Sequence, residues 1–297
     1  MGEYNTIILG AGMAGMSCAV YLKRAGISTL IVENGTPGGQ LNKISMIENY
    51  PGYVSVSGLD LACNLMEQVS FYDVDFVYGE VERIDYEKKI IFVGEKQYSY
   101  QYLVFATGRR EKNLGLENEK NWIGRGISFC ATCDGALYKK QDVIVVGGGS
   151  SAVSEAIYLS RICRKVFLIY RKSDLRAEKI LKERLEKISN IEVIYCGIVE
   201  KYMIHDDKVV GVSLEDGREI LGSCVFLAIG HVPNSELFVG KKKSGYIVVD
   251  SGGKTSLEDV YACGDVIDKE VYQLVTASSE GVIVATSIIH MNHDNSG

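Results

Sequence analysis

An α/β fold, with one sheet-and-helix unit inserted into another, is predicted by three features of this 297-residue sequence. A β-branched apolar run enters a glycine-rich turn and leaves as an amphipathic helix twice, over residues 6–33 and again over 143–170. After each copy comes an apolar run that ends in glycine: Tyr102-Leu103-Val104-Phe105-Ala106-Thr107-Gly108 and Cys224-Val225-Phe226-Leu227-Ala228-Ile229-Gly230. The C-terminal remainder is too short for a third unit of this size and is assigned to completing the first.

Taken in order, the first copy reads Thr6-Ile7-Ile8-Leu9, then Gly10-Ala11-Gly12-Met13-Ala14-Gly15, a helix to about Gly26, and the strand Thr29-Leu30-Ile31-Val32-Glu33. Uninterrupted apolar runs of this length, bounded by glycine, suit strands buried on both faces. Two β-rich pieces follow, at 76–93 and 102–107. The second copy runs Val143-Ile144-Val145-Val146, Gly147-Gly148-Gly149-Ser150-Ser151-Ala152, a helix to about Cys163, and Val166-Phe167-Leu168-Ile169-Tyr170. Residues 245–250 then read as a strand, Cys263-Gly264-Asp265 as a turn, and the chain from about Tyr272 as a final helix. Each βαβ copy is the core of a Rossmann-like three-layer domain, and two copies imply two dinucleotides. The economical arrangement is a discontinuous first domain, residues 1–112 with 235–297, enclosing a second at 113–234.

Composition excludes several classes of function. With 46% apolar and 24% charged residues the chain can bury two cores. A net charge of −6 and a pI near 5.4 give no footprint for phosphate backbones, so no nucleic-acid partner is expected. No run reaches the roughly 18 apolar residues of a membrane span, and no secretory-type leader opens the sequence, which makes a cytoplasmic location the expectation. Of eight cysteines only Cys130 and Cys133 are close in sequence. Cys18, Cys63, Cys163, Cys196, Cys224 and Cys263 take the default reading of small buried apolar residues.

The two glycine turns carry the binding chemistry. Gly10 allows the tight turn, Gly12 lets a pyrophosphate approach the backbone, and Gly15 lets the helix pack on the strand. Glu33, about 20 residues on, is placed to accept hydrogen bonds from an adenosine ribose. Gly147, Gly149 and Ala152 repeat the pattern, but that strand ends in Tyr170 and is followed by Arg171, Lys172 and Arg176. Cationic groups there suit a 2′-phosphate and so point to NADPH, the alternative being a solvated basic loop.

Cys130-Ala131-Thr132-Cys133 reads as the entry to a helix, where the partial positive charge of an N-terminus favours thiolate, the species that attacks disulfides. Asp134 follows directly and is positioned to pass a proton between a dithiol and its oxidant. The competing reading is half of a zinc site. No second C-x-x-C exists, and none of the histidines at 205, 231, 290 and 293 accompanies one, so no metal is expected.

With Cys130-Ala131-Thr132-Cys133-Asp134-Gly135 ahead of the second glycine turn, the chain resembles the low-molecular-weight thioredoxin reductases, FAD-containing pyridine nucleotide-disulfide oxidoreductases. The resemblance covers nearly the whole length and includes Gly38-Gly39-Gln40-Leu41, Glu48-Asn49-Tyr50-Pro51-Gly52, Ala106-Thr107-Gly108, Ala228-Ile229-Gly230-His231 and Gly264-Asp265, in the family's order. It implies FAD in the discontinuous domain, at Gly10, Gly12, Gly15, Glu33, Gly39, Gln40, Asn49, Val81, Thr107, Gly108, Gly264, Asp265 and Gln273. It implies NADPH in the inserted domain at Gly147, Gly149, Ala152, Arg171, Lys172 and Arg176. A homodimer is implied as well, with hydride passing from NADPH to flavin, electrons to the Cys130–Cys133 disulfide, and reducing power to thioredoxin or a thioredoxin-like protein. Members alternate nicotinamide and cysteine pair at the flavin by a large rotation between domains.

The chain departs from the family at defined places. Tyr170-Arg171-Lys172 stands where His-Arg-Arg is usual, exchanging one planar fork for a point charge. Ser150 replaces an acidic or amide residue, Tyr272-Gln273 replaces Arg-Gln, and Ala136-Leu137 replaces aromatics. These departures weaken the case for NADPH and keep open a donor used by some relatives, reduced ferredoxin. Two readings of other kinds are a zinc-stabilised or nucleotide-sensing module without turnover, and a flavin oxidase producing hydrogen peroxide.

Overall fold

The computed structural model describes residues 2–44 and 46–294. The chain forms two compact units, Met1–Arg110 with Pro233–Gly297, and Glu111–Val232. In chain order the first part of unit 1 comprises β1 (Gly2–Leu9), α1 (Met13–Arg24), β2 (Thr29–Glu33), α2 (Gly58–Phe71), β3 (Asp75–Tyr78), β4 (Val81–Asp85), β5 (Ile90–Val93) and β6 (Lys96–Phe105). After β7 (Arg109–Glu111) come α3 (Glu119–Trp122), β8 (Ile127–Ser128), α4 (Ala131–Asp134), β9 (Asp142–Val146), α5 (Ser150–Ser160), β10 (Lys165–Tyr170) and α6 (Lys179–Leu185). The strands β11 (Ile191–Tyr195), β12 (Val199–His205), β13 (Lys208–Leu214), β14 (Glu219–Leu221), β15 (Val225–Leu227) and β16 (His231–Pro233) follow. The chain ends with β17 (Lys242–Lys243), β18 (Tyr246–Ile247), β19 (Val260–Ala262) and α7 (Leu274–Asp294).

In unit 1 the strand order is β3-β2-β1-β6-β5-β4, and β19 pairs with β6 as a branch. The first half of β6 takes β5 antiparallel, with Ile90 opposite Ser99, while Leu103–Phe105 takes β19 in parallel. The β6 strand therefore runs through the middle of the sheet and begins well before the predicted residue 102. Both faces are covered, as the uninterrupted apolar runs require. Ile8, Ile31 and Val104 pack with Met16, Leu61 and Ala285 on one face. Ile7, Leu9, Leu30 and Phe105 pack with Phe238, Ile247 and Val266 on the other. Burying one such side chain fully contributes roughly 2 kcal/mol, so the alternation within a four-residue strand fixes its orientation.

α7 is long and apolar enough to cross a membrane by length and composition, with a mean hydropathy of 1.4 over Leu274–Asn292. Its Ala277, Val284, Ala285 and Ile288 are buried in the core of unit 1 beside Met16 and Cys18 of α1. The two helices meet backbone to backbone: a Cβ at Gly281 would fall 2.2 Å from the Ala14 carbonyl oxygen.

Unit 2 has a parallel sheet of order β11-β10-β9-β15-β8 and a separate antiparallel sheet β12-β13-β14. Val143 and Val145 face α5, packing with Val153 and Ala156. Ile144 and Val146 face the second sheet, packing with Tyr202, Val209 and Val212. The edge next to β15 is taken by β8, two residues long and too short to leave a periodic signal in the sequence. Of residues 245–250 only Tyr246–Ile247 is a strand, paired with β17.

Burial of the six other cysteines holds for Cys18, Cys163, Cys224 and Cys263, but Cys63 and Cys196 are exposed. Cys63 lies on the outward side of α2, whose buried residues are Gly58, Leu61, Ala62 and Val69. Cys196 sits in the left-handed region, φ +55°, in the turn that leaves β11.

Candidate functional site

The first glycine turn joins β1 to α1. Gly10 has φ +105°, and a Cβ there would meet the Ala106 carbonyl oxygen at 2.5 Å; one at Gly15 would meet the Gly10 carbonyl oxygen at 2.0 Å. These two positions are glycine because the protein itself leaves no room. Gly12 differs, since a Cβ there would meet nothing within 4 Å. Gly12 also caps α1 and, being glycine, makes no side-chain cap bond to the first turn. Open space at the N-terminus of a helix is a cradle for an anionic group, and a pyrophosphate fits it. Glu33, at the end of β2, accepts from Ala11 N–H at 2.7 Å and from Gly35 N–H at 2.8 Å. The carboxylate is thereby fixed beside the turn, with lone pairs left for a ribose hydroxyl.

Some of the other residues named from the sequence lie against this turn, and others are bonded among themselves. A Cβ at Gly39 would come within 3.5 Å of Gly12 Cα, and one at Gly264 within 2.8 Å of Ala14 Cβ. Gln40 donates to the Arg109 carbonyl at 3.0 Å, and Asn49 donates to Gln273 Oε1 at 3.1 Å. Thr107 and Asn234 bond reciprocally, the Thr107 hydroxyl donating to the Asn234 carbonyl at 2.6 Å and the Asn234 amide to the Thr107 carbonyl at 2.9 Å. Gly108 follows with φ +64°. Val81 opens β4 half-buried and stands opposite Val93 in the pairing with β5.

Asp265 belongs to a charged network that the sequence did not reveal. Its carboxylate lies 3.0 Å from Arg109 Nε and 3.3 Å from Lys269 Nζ, and Lys269 also contacts Glu280 at 2.8 Å. Glu280 accepts from Gly264 N–H at 2.9 Å. Burial raises its carboxyl pKa, and the Lys269 ammonium opposes that rise. The Arg109 and Lys269 cations both lie over the Tyr272 ring, at 4.6 and 5.3 Å from its centroid. Arg109 Nε is buried and out of line for a hydrogen bond to Asp265, leaving a covered donor that a bound acceptor would satisfy.

The second turn repeats the first. Gly147 has φ +150°, and a Cβ there would meet the Ala228 carbonyl oxygen at 2.3 Å, as Gly10 meets Ala106; a Cβ at Gly149 would meet nothing within 4 Å. Ala152 is fully buried in α5, beside Gly147. Gly148 lies beneath the Tyr170 ring, where a Cβ would fall 2.2 Å from a ring carbon. Arg171, Lys172 and Arg176 are exposed on one loop. That loop is tied to the turn: Arg176 N–H donates to the Gly148 carbonyl at 2.7 Å and Glu178 N–H to Ser150 Oγ at 3.1 Å. Ser150 thus has a backbone partner in place of the usual acidic or amide group.

Cys130 and Cys133 form a disulfide with an S–S distance of 2.06 Å, at the end of the edge strand β8. Cys130 is buried and Cys133 exposed. The helix after Cys130 is four residues long, followed by the 3-10 turn Gly135–Tyr138, too short for the helix-dipole effect expected from the sequence. What acts instead is one specific donor, the Cys133 N–H at 3.1 Å from Cys130 Sγ. Asp134 accepts from the Ser128 hydroxyl at 2.7 Å. Behind it lie Tyr138, Cys224 and Cys163. Burial pushes the Cys224 thiol up to about 12, with a bond from Tyr138 opposing and the Asp134 charge adding; burial also pushes Cys163 to about 11. Both thiols stay protonated near neutral pH. Among the described residues no group of three or more His, Cys, Asp or Glu is arranged to hold a metal ion.

Residues 4–281 match the family model described as pyridine nucleotide-disulphide oxidoreductase. A thioredoxin reductase of Bacillus subtilis is 37% identical over 297 residues, covering 97% of this chain and 94% of the relative. Among solved structures, thioredoxin reductase of Lactococcus lactis superposes with a TM-score of 0.92 at 32% identity, covering 97% of this chain and 98% of that one. That of T. acidophilum gives 0.91 at 32% identity, covering 98% and 99%.

Proposed function

The chain belongs to the pyridine nucleotide-disulphide oxidoreductase family, and from that premise we propose that it is a thioredoxin reductase, drawing electrons from NADPH through FAD and the Cys130–Cys133 disulfide. The observation that carries the reading is the Cys130–Cys133 bond with a fixed carboxyl, Asp134, beside it. Gly10, Gly12, Gly15, Glu33, Gly39, Gln40, Asn49, Val81, Thr107, Gly108, Gly264, Asp265 and Gln273 would hold FAD in unit 1. Gly147, Gly149, Ala152, Arg171, Lys172 and Arg176 would hold NADPH in unit 2. When bound, the flavin supplies the relay that turns a hydride into the electron pair of a dithiol. The protein's own residues do the rest. The open positions at Gly12 and Gly149 admit the two pyrophosphates, and the cationic loop receives the 2′-phosphate. Cys133 N–H stabilises negative charge on Cys130 Sγ, and Asp134 holds or releases the proton that thiol–disulfide exchange moves.

The partner on this reading is thioredoxin or a thioredoxin-like protein, and the setting a soluble, cytoplasmic one. The homodimer implied by the resemblance is checked by sedimentation. The donor is tested by anaerobic titration of the yellow holoenzyme. Rapid bleaching of the flavin by NADPH, with two new thiols, is the expected result. Indifference to NADPH and NADH together with bleaching by reduced ferredoxin would replace the donor, while a colourless protein would remove the proposal altogether. Replacement of both cysteines by serine is expected to abolish thioredoxin reduction; retained hydrogen peroxide production would mark oxidase activity instead.

A further inference from the structure

Ser128 has no part in the function as stated, yet it is buried, 4% exposed, between the two groups that matter most. Its hydroxyl accepts from Cys130 N–H at 3.1 Å and donates to Asp134 Oδ2 at 2.7 Å. The Cys130 carbonyl, at 3.4 Å, is the poorer acceptor for its single proton. A chain therefore runs from the backbone of the first cysteine, through one hydroxyl, to the carboxylate, and each link polarises the next.

We propose that Ser128 is a positioning residue, which holds the Asp134 carboxyl against the Cys130–Cys133 couple and so governs proton transfer between that carboxyl and the two sulfurs. The inference rests on the thioredoxin reductase reading. The four residues of α4 are a poor anchor by themselves: the backbone tie between the first cysteine and Asp134 is the Asp134 N–H to Cys130 carbonyl bond at 3.1 Å. Ser128 is held from outside that turn. It stands opposite Phe226 in the parallel pairing of β8 with β15, so its direction is set by the sheet and not by the disulfide turn. Asp134 is also faced by Tyr138 and Cys224, and burial raises the pKa of both, so neither brings a charge near neutral pH. The placement of the carboxyl thus depends on the serine.

The step balances as follows. Reduction breaks the S–S bond, takes up one electron pair, which a bound flavin would supply, and two protons, and leaves two thiols. In the return, one thiol loses its proton and its thiolate attacks the partner disulfide, forming a mixed disulfide and a partner thiolate that takes up a proton. The second thiol then loses its proton and displaces the other partner sulfur, restoring Cys130–Cys133 and releasing a dithiol. The Asp134 carboxyl takes or gives one of these protons in each direction.

The test measures thiol chemistry directly. Holoenzyme in which the exposed Cys63 and Cys196 are replaced by serine, reduced anaerobically with dithiothreitol and freed of it, is alkylated with iodoacetamide from about pH 5 to about pH 9. S128A is expected to displace the pH profile in the same direction as D134N and to change the rate near neutrality about tenfold. Adding S128A to D134N should change nothing further, and S128T should restore the native profile. An S128A profile that superposes on wild type, or S128A and D134N effects that simply add, would overturn the inference. If S128A fails to fold, S128G, which also removes the hydroxyl without adding a thiol, is held to the same two outcomes. The assay uses neither NADPH nor thioredoxin, so its failure leaves the proposed function standing. Absence of thioredoxin reduction by the wild-type enzyme, with the profile shift intact, would overturn that function alone.

Discussion

At the scale of single residues, space distinguishes glycines that a consensus treats alike. A Cβ at Gly15 would run into the Gly10 carbonyl oxygen, whereas one at Gly12 would meet nothing within 4 Å. Gly15→Ala is therefore expected to lower the melting temperature even of cofactor-free protein, at about 1–3 kcal/mol for overpacking. Gly12→Ala should leave the cofactor-free protein as stable as wild type and lose the yellow colour. Equal melting losses in the two variants would contradict this assignment. Glu155 gives a pH prediction. Its Oε2 is covered and without a partner, and burial, then the charge of Glu111, pushes its carboxyl up to about 7. Between the ordinary value of 4.5 and about 7 the folded protein keeps a proton that the unfolded chain releases. Stability from this group is complete below that window and is lost as pH rises through it, up to roughly 3 kcal/mol. Chemical denaturation of Glu155→Gln at several pH values should show the decline flattened, and an unchanged slope would refute it.

At the scale of elements, the α1–α7 contact and the basic loop of unit 2 each make a prediction. Gly281 lets α7 touch the backbone of α1 at Ala14, so Gly281→Val must separate the helices and is expected to destabilise by 1–3 kcal/mol or more, read by denaturant midpoint. The loop carrying Arg171, Lys172 and Arg176 is held to its turn by backbone bonds through Arg176 and Glu178, so its side chains can be changed with little effect on the fold. Charge reversal at Arg171 and Arg176 together should raise KM for NADPH by at least about tenfold with kcat little changed, since charged hydrogen bonds contribute roughly 1.5–3 kcal/mol each. An equal effect on NADH would show that the loop does not read the 2′-phosphate. The element that the sequence hid is β8: two residues carry no period, and its place beside β15 exists only once the sheet forms.

For the whole molecule, the two units differ in how they are strung. Unit 2 is continuous, Glu111–Val232, and encloses two hydrophobic clusters of its own. Unit 1 needs both ends of the chain, because α7 covers α1 and β19 completes the sheet beside β6. Residues 111–232 produced alone should fold and bind NADPH, measured by circular dichroism and titration. Residues 1–110 produced alone should not give a cooperative unfolding transition, whereas residues 1–110 joined by a short linker to 233–297 should. A cooperative residue 1–110 fragment would refute this account of the core.

The sequence by itself determined both βαβ units, both glycine turns, Glu33 and the Cys130–Cys133 pair, because each is a local pattern. Strand and helix periods, positive φ at Gly10 and Gly147, and the two-residue gap of C-x-x-C are all imposed by neighbours along the chain. Only the tertiary structure decided that Cys63 and Cys196 are exposed, that Arg109 and Lys269 converge on Asp265, and that Ser128 reaches Asp134. Those outcomes depend on which distant surfaces meet, and packing and loop closure choose among them by free energies that no local pattern records.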